Sequence, residues 1–163
     1  MLISYKGRFI ERNWPLIVPP ILALIDDPSV KYKVAGCRNL ETLLKQVPTG
    51  VIDRTGLGEV FQNAIMPCLM YLPTLTEEAA SIALLNQAYP VLLSLTRVRF
   101  PDPERRARKI ECLDLVMRAG IFKAFSNAGE HVRLAEVLMR HLAKLIRALD
   151  TDSVKHLSVS TIL

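Results

Sequence analysis

Three cysteines, three histidines and sixteen carboxylates are the side chains of this 163-residue chain whose spacing most directly tests for metal, thiol or acid–base chemistry. Their spacing assembles little of it. Cys37, Cys68 and Cys112 are odd in number, far apart and set among apolar neighbours, the pattern of buried reduced thiols rather than of a disulfide framework. A metal site wants close pairs such as C-x-x-C, and His131, His141 and His156 lack the i, i+4 spacing that brings two imidazoles together. No metal or cofactor is expected. Asp26 and Asp27 are adjacent on a turn and point apart, so they do not make an acid–base pair, and Asp27 reads as a helix N-cap. The chain has no G-x-S-x-G, P-loop or G-x-G-x-x-G motif, and the stretch T-G-L-G at 55–58 lacks the lysine of a phosphate cradle. The expectation is a protein that is not an enzyme.

Binding chemistry remains. The net charge is +5, and it is unevenly placed: residues 97–147 carry twelve Lys or Arg against six Asp or Glu, whereas the rest carry nine against ten. Two clusters stand out. Arg105, Arg106, Arg108 and Lys109 fall in the first turns of a helix, where cations oppose the helix dipole by a few tenths of a kcal/mol each. Asp102 and Glu104 offset that in part. Arg133, Arg140, Lys144 and Arg147 line the face opposite an apolar stripe, with Glu136 placed to pair with Arg140. The plain reading of both clusters is a solvated basic surface, and the functional reading is a docking site for an acidic segment of a partner. Coulomb attraction also suits a nucleic-acid backbone. Only Phe100, Phe122 and Phe125 supply aromatic rings in this region, short of the interleaving that single-strand binding uses, so nucleic acid ranks second. Trp14 reads as packing under the first hairpin in preference to an interface anchor.

The elements that must hold these residues are helices. Half of the chain is hydrophobic and only 6% is aromatic, and no period-two alternation of β-branched residues occurs. A chain of this length buries roughly 70% of its unfolded surface, enough for a core of its own. The first helix is predicted from Trp14-Pro15 to Ile25, with Pro15 in its first turn. Asp27-Pro28 then opens a second helix with the stripe Val30, Val34, Cys37, Leu40, Leu44 and Val47. Residues 48–56 read as a loop. A third helix carries Leu57, Phe61, Ile65, Cys68 and Leu72 on one side, and Thr74 and Thr76 before Glu77 and Glu78 look like the capped start of a fourth. That fourth helix, running to about Val98, is apolar nearly all round between Ile82 and Leu95, which predicts a central element covered on more than one side. Asp102-Pro103 opens a helix through Ile110, Leu113 and Met117 that is expected to end near Gly120, followed by a short turn to Phe125. The strongest stripe, Ala135, Leu138, Leu142, Leu145 and Leu149, follows, and a last helix is expected from Thr151 with Val154, Leu157 and Ile162. The ten-residue apolar run 16–25 is too short to span a bilayer, and no signal peptide develops near Met1, so an intracellular protein is expected.

Helices in series joined by short turns imply hairpins, and Pro20 and Pro67 recur 47 residues apart, close to the unit length of HEAT repeats. The fold class is therefore read as all-α, a HEAT/armadillo-like α-solenoid of about seven to nine helices in antiparallel hairpins, with 1–163 as a single repeat domain of a longer protein. The segment PILALIDDPSV at 20–30, continuing to KVAGCRNL at 33–40, resembles a HEAT hairpin. Taken with Trp14 through Asp27, PCLMYLP at 67–73, AYPVLL at 88–93 and KHL at 155–157, the chain resembles the C-terminal part of the Tti-two family, one subunit of the Triple T (TTT) complex. That resemblance covers most of the chain and rests on packing and turn residues. It implies a scaffold that works with Tel- and Tti-one-type partners in a co-chaperone complex, supporting maturation of phosphatidylinositol-3-kinase-related kinases alongside Hsp90. The family is usually longer on its N-terminal side.

Overall fold

Helix α1, Leu2–Asp26, runs through Pro15, Pro19 and Pro20 instead of starting at the first of them. Each proline deletes a backbone hydrogen bond, but all three face solvent, where water can take up the freed carbonyls while Val18, Ile21 and Ile25 stay buried on the other side. The structure is a computed structural model and describes residues 2–48, 50–73 and 75–149. Its described residues hold no strand, and the all-α, α-solenoid-like architecture expected from the sequence is what they form.

Helix α2, Val30–Leu44, starts two residues later than Asp27-Pro28 suggests. Asp27 Oδ1 accepts the Ser29 N–H at 2.7 Å, closing a turn ahead of the helix, and the N-cap position itself falls to Ser29. Its close approach to α1 is set by Gly36, where a Cβ would lie 2.8 Å from the backbone N of Ile25 and 2.7 Å from its Cγ1. Within residues 48–56 the structure contains a single helical turn, α3 (Val51–Arg54), between Gly50 and Gly56, whose φ angles of 87° and 68° suit glycine. Helix α4, Leu57–Ile65, tightens into a 3-10 segment, Met66–Met70, where Pro67 cannot donate a backbone hydrogen bond.

Helix α5, Glu78–Arg99, has Glu77 at its N-cap position, so Thr76 is not the cap. Thr74 lies outside the described residues. As its composition predicts, α5 is central: it packs against α2, α4, the 3-10 segment and the later helices, and buries Leu84, Leu85, Ala88, Tyr89, Leu92 and Leu95. By length and composition alone α5 could cross a membrane, yet 56% of its apolar window is buried inside the fold. A 3-10 turn, Pro103–Arg105, leads into α6, Arg106–Val116. This helix does not stop at Gly120. It continues through a π-helical stretch, Met117–Phe122, into α7, Lys123–Ala128. Gly120 is there because a Cβ would come within 2.7 Å of Leu69 Cδ1 and 3.2 Å of the Tyr89 hydroxyl, so close packing and not termination explains it. Helix α8, Val132–Leu149, closes the described part, and the helix expected from Thr151 lies outside it.

Among the described residues three hairpins result, and their order in sequence is their order in space. Helices α2, α5 and α8 form one layer, with α2 against α5 and α5 against α8. The partner layer runs α1, then α4 with its 3-10 segment, then the α6–π–α7 helix. Pro20 and Pro67 both sit in this second layer, so their spacing marks equivalent places in successive units.

Candidate functional site

The first basic cluster is dispersed by the fold. Arg105 ends the 3-10 turn and its guanidinium forms an ion pair with Asp53 of α3, across more than fifty residues of sequence. That carboxylate, more than Asp102, raises the guanidinium pKa and offsets the unfavourable place of Arg105 at a helix start. Arg106 and Lys109 point the other way, lining a hollow of about 230 Å³ with Ala148 and Leu149 at the end of α8. Arg108 borders a different cleft, of about 510 Å³, between α4 and α6. The four cations therefore do not converge on one anion.

That larger cleft is mixed in charge and internally bonded. Arg99 lies across it, Nη1 donating to Gln62 Oε1 at 2.6 Å, with Glu59 at 3.9 Å and the Phe100 ring 5.1 Å from its guanidinium carbon. The Cys112 thiol donates to the same Gln62 oxygen at 3.4 Å and touches the Thr96 hydroxyl. No imidazole lines the cleft to activate that thiol, and of its three carboxylates, Asp53, Glu59 and Glu111, the first two face arginines. Among the described residues no group of three or more His, Cys, Asp or Glu is placed to hold a metal ion.

The second cluster stays together. Arg133, Arg140, Lys144 and Arg147 are all exposed on one face of α8, because Leu134, Val137, Leu138, Leu142, Leu145 and Leu149 turn the opposite face into the core. Arg140 Nη2 meets Glu136 Oε1 at 2.8 Å, the pair expected from their spacing. Arg133, Lys144 and Arg147 have no carboxylate partner among the described residues. Beside them, sequence reading missed two exposed apolar side chains, Val132 at 80% and Met139 at 54% exposure. The signal was present in the helical period of α8, but it becomes readable only once the buried face is known.

Two polar side chains, Lys33 and His141, are buried. Lys33, just off the stripe of α2, is only 5% exposed: its ammonium donates to the Ile25 carbonyl at 2.6 Å and sits 4.8 Å from the centre of the Tyr71 ring. It caps the C-terminal end of α1, where a cation complements the dipole. Cys37 and Cys68, distant in sequence, meet beside it: the hydrogen bond between the two thiols, with burial, pushes Cys37 up, while the same bond lowers Cys68. All three cysteines are free and buried, as read from the sequence. His141 is a core residue, stacked on Tyr89 at 4.8 Å between ring centres, with Nε2 3.1 Å from Asn86 Oδ1. Burial, with Lys144 and Arg140 adding positive charge nearby, pushes its pKa down to about 4, so the imidazole is neutral at physiological pH.

What this arrangement offers is a stack of helices with no assembled catalytic group among the described residues, and with a cationic row exposed along the outer face of α8. Residues 1–162 match the model of the Tti2 family. TEL2-interacting protein 2 of Saccharomyces cerevisiae is 28% identical over 112 residues, covering 63% of this chain, and the chain spans 27% of that protein's length. No solved structure matches.

Proposed function

This chain belongs to the Tti2 family, and from that premise we propose that it is a non-catalytic scaffold subunit of a TTT-type co-chaperone complex. Its partners are then Tel- and Tti-one-type α-solenoid proteins. With them, and with Hsp90 acting indirectly, it supports the maturation and stability of PI3K-related kinases, in the cytoplasm and the nucleus. The 163 residues are one repeat domain of a longer protein. Mechanistically this is stoichiometric binding: an exposed helix face docks a helix of the partner, and no group turns over. The observation that carries the reading is the family match over residues 1–162, to which the similarity with a protein named for its interaction with TEL2 adds support. The exposed cations of α8 add a surface suited to docking.

Those cations also favour a second reading, attachment to nucleic acid or to an acidic peptide, since phosphate and carboxylate attract them alike. One experiment separates the two. The purified chain is presented to Tel- and Tti-one-type subunits and, in parallel, to duplex and single-stranded oligonucleotides at about 50 and about 200 mM salt. Capture by the protein subunits with weak oligonucleotide binding is expected. Tight, steeply salt-dependent binding of the oligonucleotides without subunit capture overturns the scaffold reading.

A further inference from the structure

We propose that the outer flank of α8 is a docking strip for an amphipathic helix of a partner protein that carries acidic residues along one edge, a proposal that rests on the scaffold reading above. The strip is built from two parallel rows. At 3.6 residues per turn Val132, Met139 and Ala143 fall within about 40° of one another, and Arg133, Lys144 and Arg147 form a second row about 100° round the helix. All six are exposed. The apolar row extends about 16 Å along the axis, three turns of a partner helix.

Neither row is covered by the described residues. The core face of α8 is made by Leu134, Leu138 and Leu145, which are fully buried, on the far side of the helix. The cations have no carboxylate partner among the described residues, in contrast to Arg105, which has Asp53, and Arg140, which has Glu136. Val132 and Met139, at 80% and 54% exposure, lie two turns apart on the same side of one helix and stay uncovered by the described residues.

The pairing of rows selects the occupant. A helix seated in ridge-and-groove contact on the apolar row lies about 8–10 Å from the α8 axis, and its edge on the cationic side then reaches Arg133, Lys144 and Arg147. Carboxylates on that edge complement the charge, and leucine-sized residues on the seated face cover Val132 and Met139. A nucleic-acid backbone would engage the cations and leave both apolar side chains in water. Charge and apolarity together therefore point to an acid-edged helix.

The test uses this chain with two sets of substitutions at exposed positions, Val132→Glu with Met139→Glu, and Arg133→Glu with Lys144→Glu and Arg147→Glu. Circular dichroism confirms that each variant keeps its helices. Two ligands are offered: the Tel- and Tti-one-type subunits, and a synthetic four-turn helical peptide with leucines on one face and glutamates along one edge. Both variant sets are expected to bind each ligand at least about ten-fold more weakly than the parent chain, and a lysine-edged version of the peptide is expected not to bind. Parent-like affinity of the variants for the subunits overturns the proposal while leaving the scaffold reading intact. Peptide binding that both sets abolish, without subunit capture by the parent, upholds the strip and removes the scaffold reading. Duplex oligonucleotide binding that needs the three cations but not Val132 or Met139 replaces the helix with nucleic acid. Slow maleimide labelling of Met139→Cys in the chain alone shows the strip covered by the chain itself, and also overturns the proposal.

Discussion

Acid should destabilise this fold through His141, a residue that touches no surface. The imidazole is 1% exposed, stacked on Tyr89, and burial holds its pKa at about 4 against an ordinary 6.5. Above pH 6.5 it is neutral in both the folded and unfolded chain and contributes no pH dependence. Below that, the unfolded chain binds a proton that the fold refuses, so stability falls as pH drops from about 6.5 towards about 4. The loss is about 1.4 kcal/mol per pH unit, or about 2 kcal/mol by pH 5, a large part of the 5–15 kcal/mol typical of a domain. The perturbation is His141→Phe, which keeps a ring against Tyr89 and removes the titrating group. Urea unfolding followed by far-ultraviolet circular dichroism at stepped pH should show a steep acid loss in the parent chain and a flatter one in the variant. The difference between them isolates His141 from His131, which is a third exposed beside Glu130. An imidazole that titrates near 6.5 by NMR, or a variant that loses stability with the same slope, refutes the reasoning.

Other substitutions read other parts of the fold. Gly36→Ala, which in a helix ordinarily stabilises by up to about 1 kcal/mol, should here cost about 1–3 kcal/mol because the new Cβ meets Ile25 backbone at 2.8 Å; a stabilised variant would show that α1 and α2 are not packed this closely. Lys33→Met should cost about 1.5–3 kcal/mol by stranding the buried Ile25 carbonyl, measured as a lowered urea midpoint, and an unchanged midpoint would mean the ammonium does not cap α1. Phe61→Ala, at a fully buried position of α4, should cost about 3–5 kcal/mol in the same assay, and a loss below about 1 kcal/mol would contradict its place in the core. Asp53→Asn should leave the thermal unfolding midpoint nearly unchanged, since both partners of its ion pair with Arg105 are more than a third exposed; a clear drop in the midpoint would mean that the pair does more than anchor a surface turn.

How much of this was legible beforehand differs from residue to residue. The central place of α5 followed from its being apolar nearly all round, and the free, buried state of the three cysteines followed from their spacing. Helix ends were harder. Asp27-Pro28 and Gly120 carry start and stop signals, yet α2 begins at Val30 and the helix passes through Gly120 as a π stretch, because Asp27 binds Ser29 and Gly120 answers to Leu69 and Tyr89. Of the two basic clusters, both looked alike in sequence, and only the structure shows Arg105 spent on Asp53 while the α8 row remains without carboxylate partners among the described residues.

The sequence by itself determined that this chain is a series of amphipathic helices, since a 3.6-residue apolar period and backbone hydrogen bonding act over one or two turns. Only the tertiary structure decided that Lys33 is buried over Tyr71, that Cys37 meets Cys68, that His141 stacks on Tyr89 and that Val132 and Met139 are left in water. Those outcomes depend on how helices separated by thirty to more than fifty residues slide and rotate against one another, a register that no local pattern encodes.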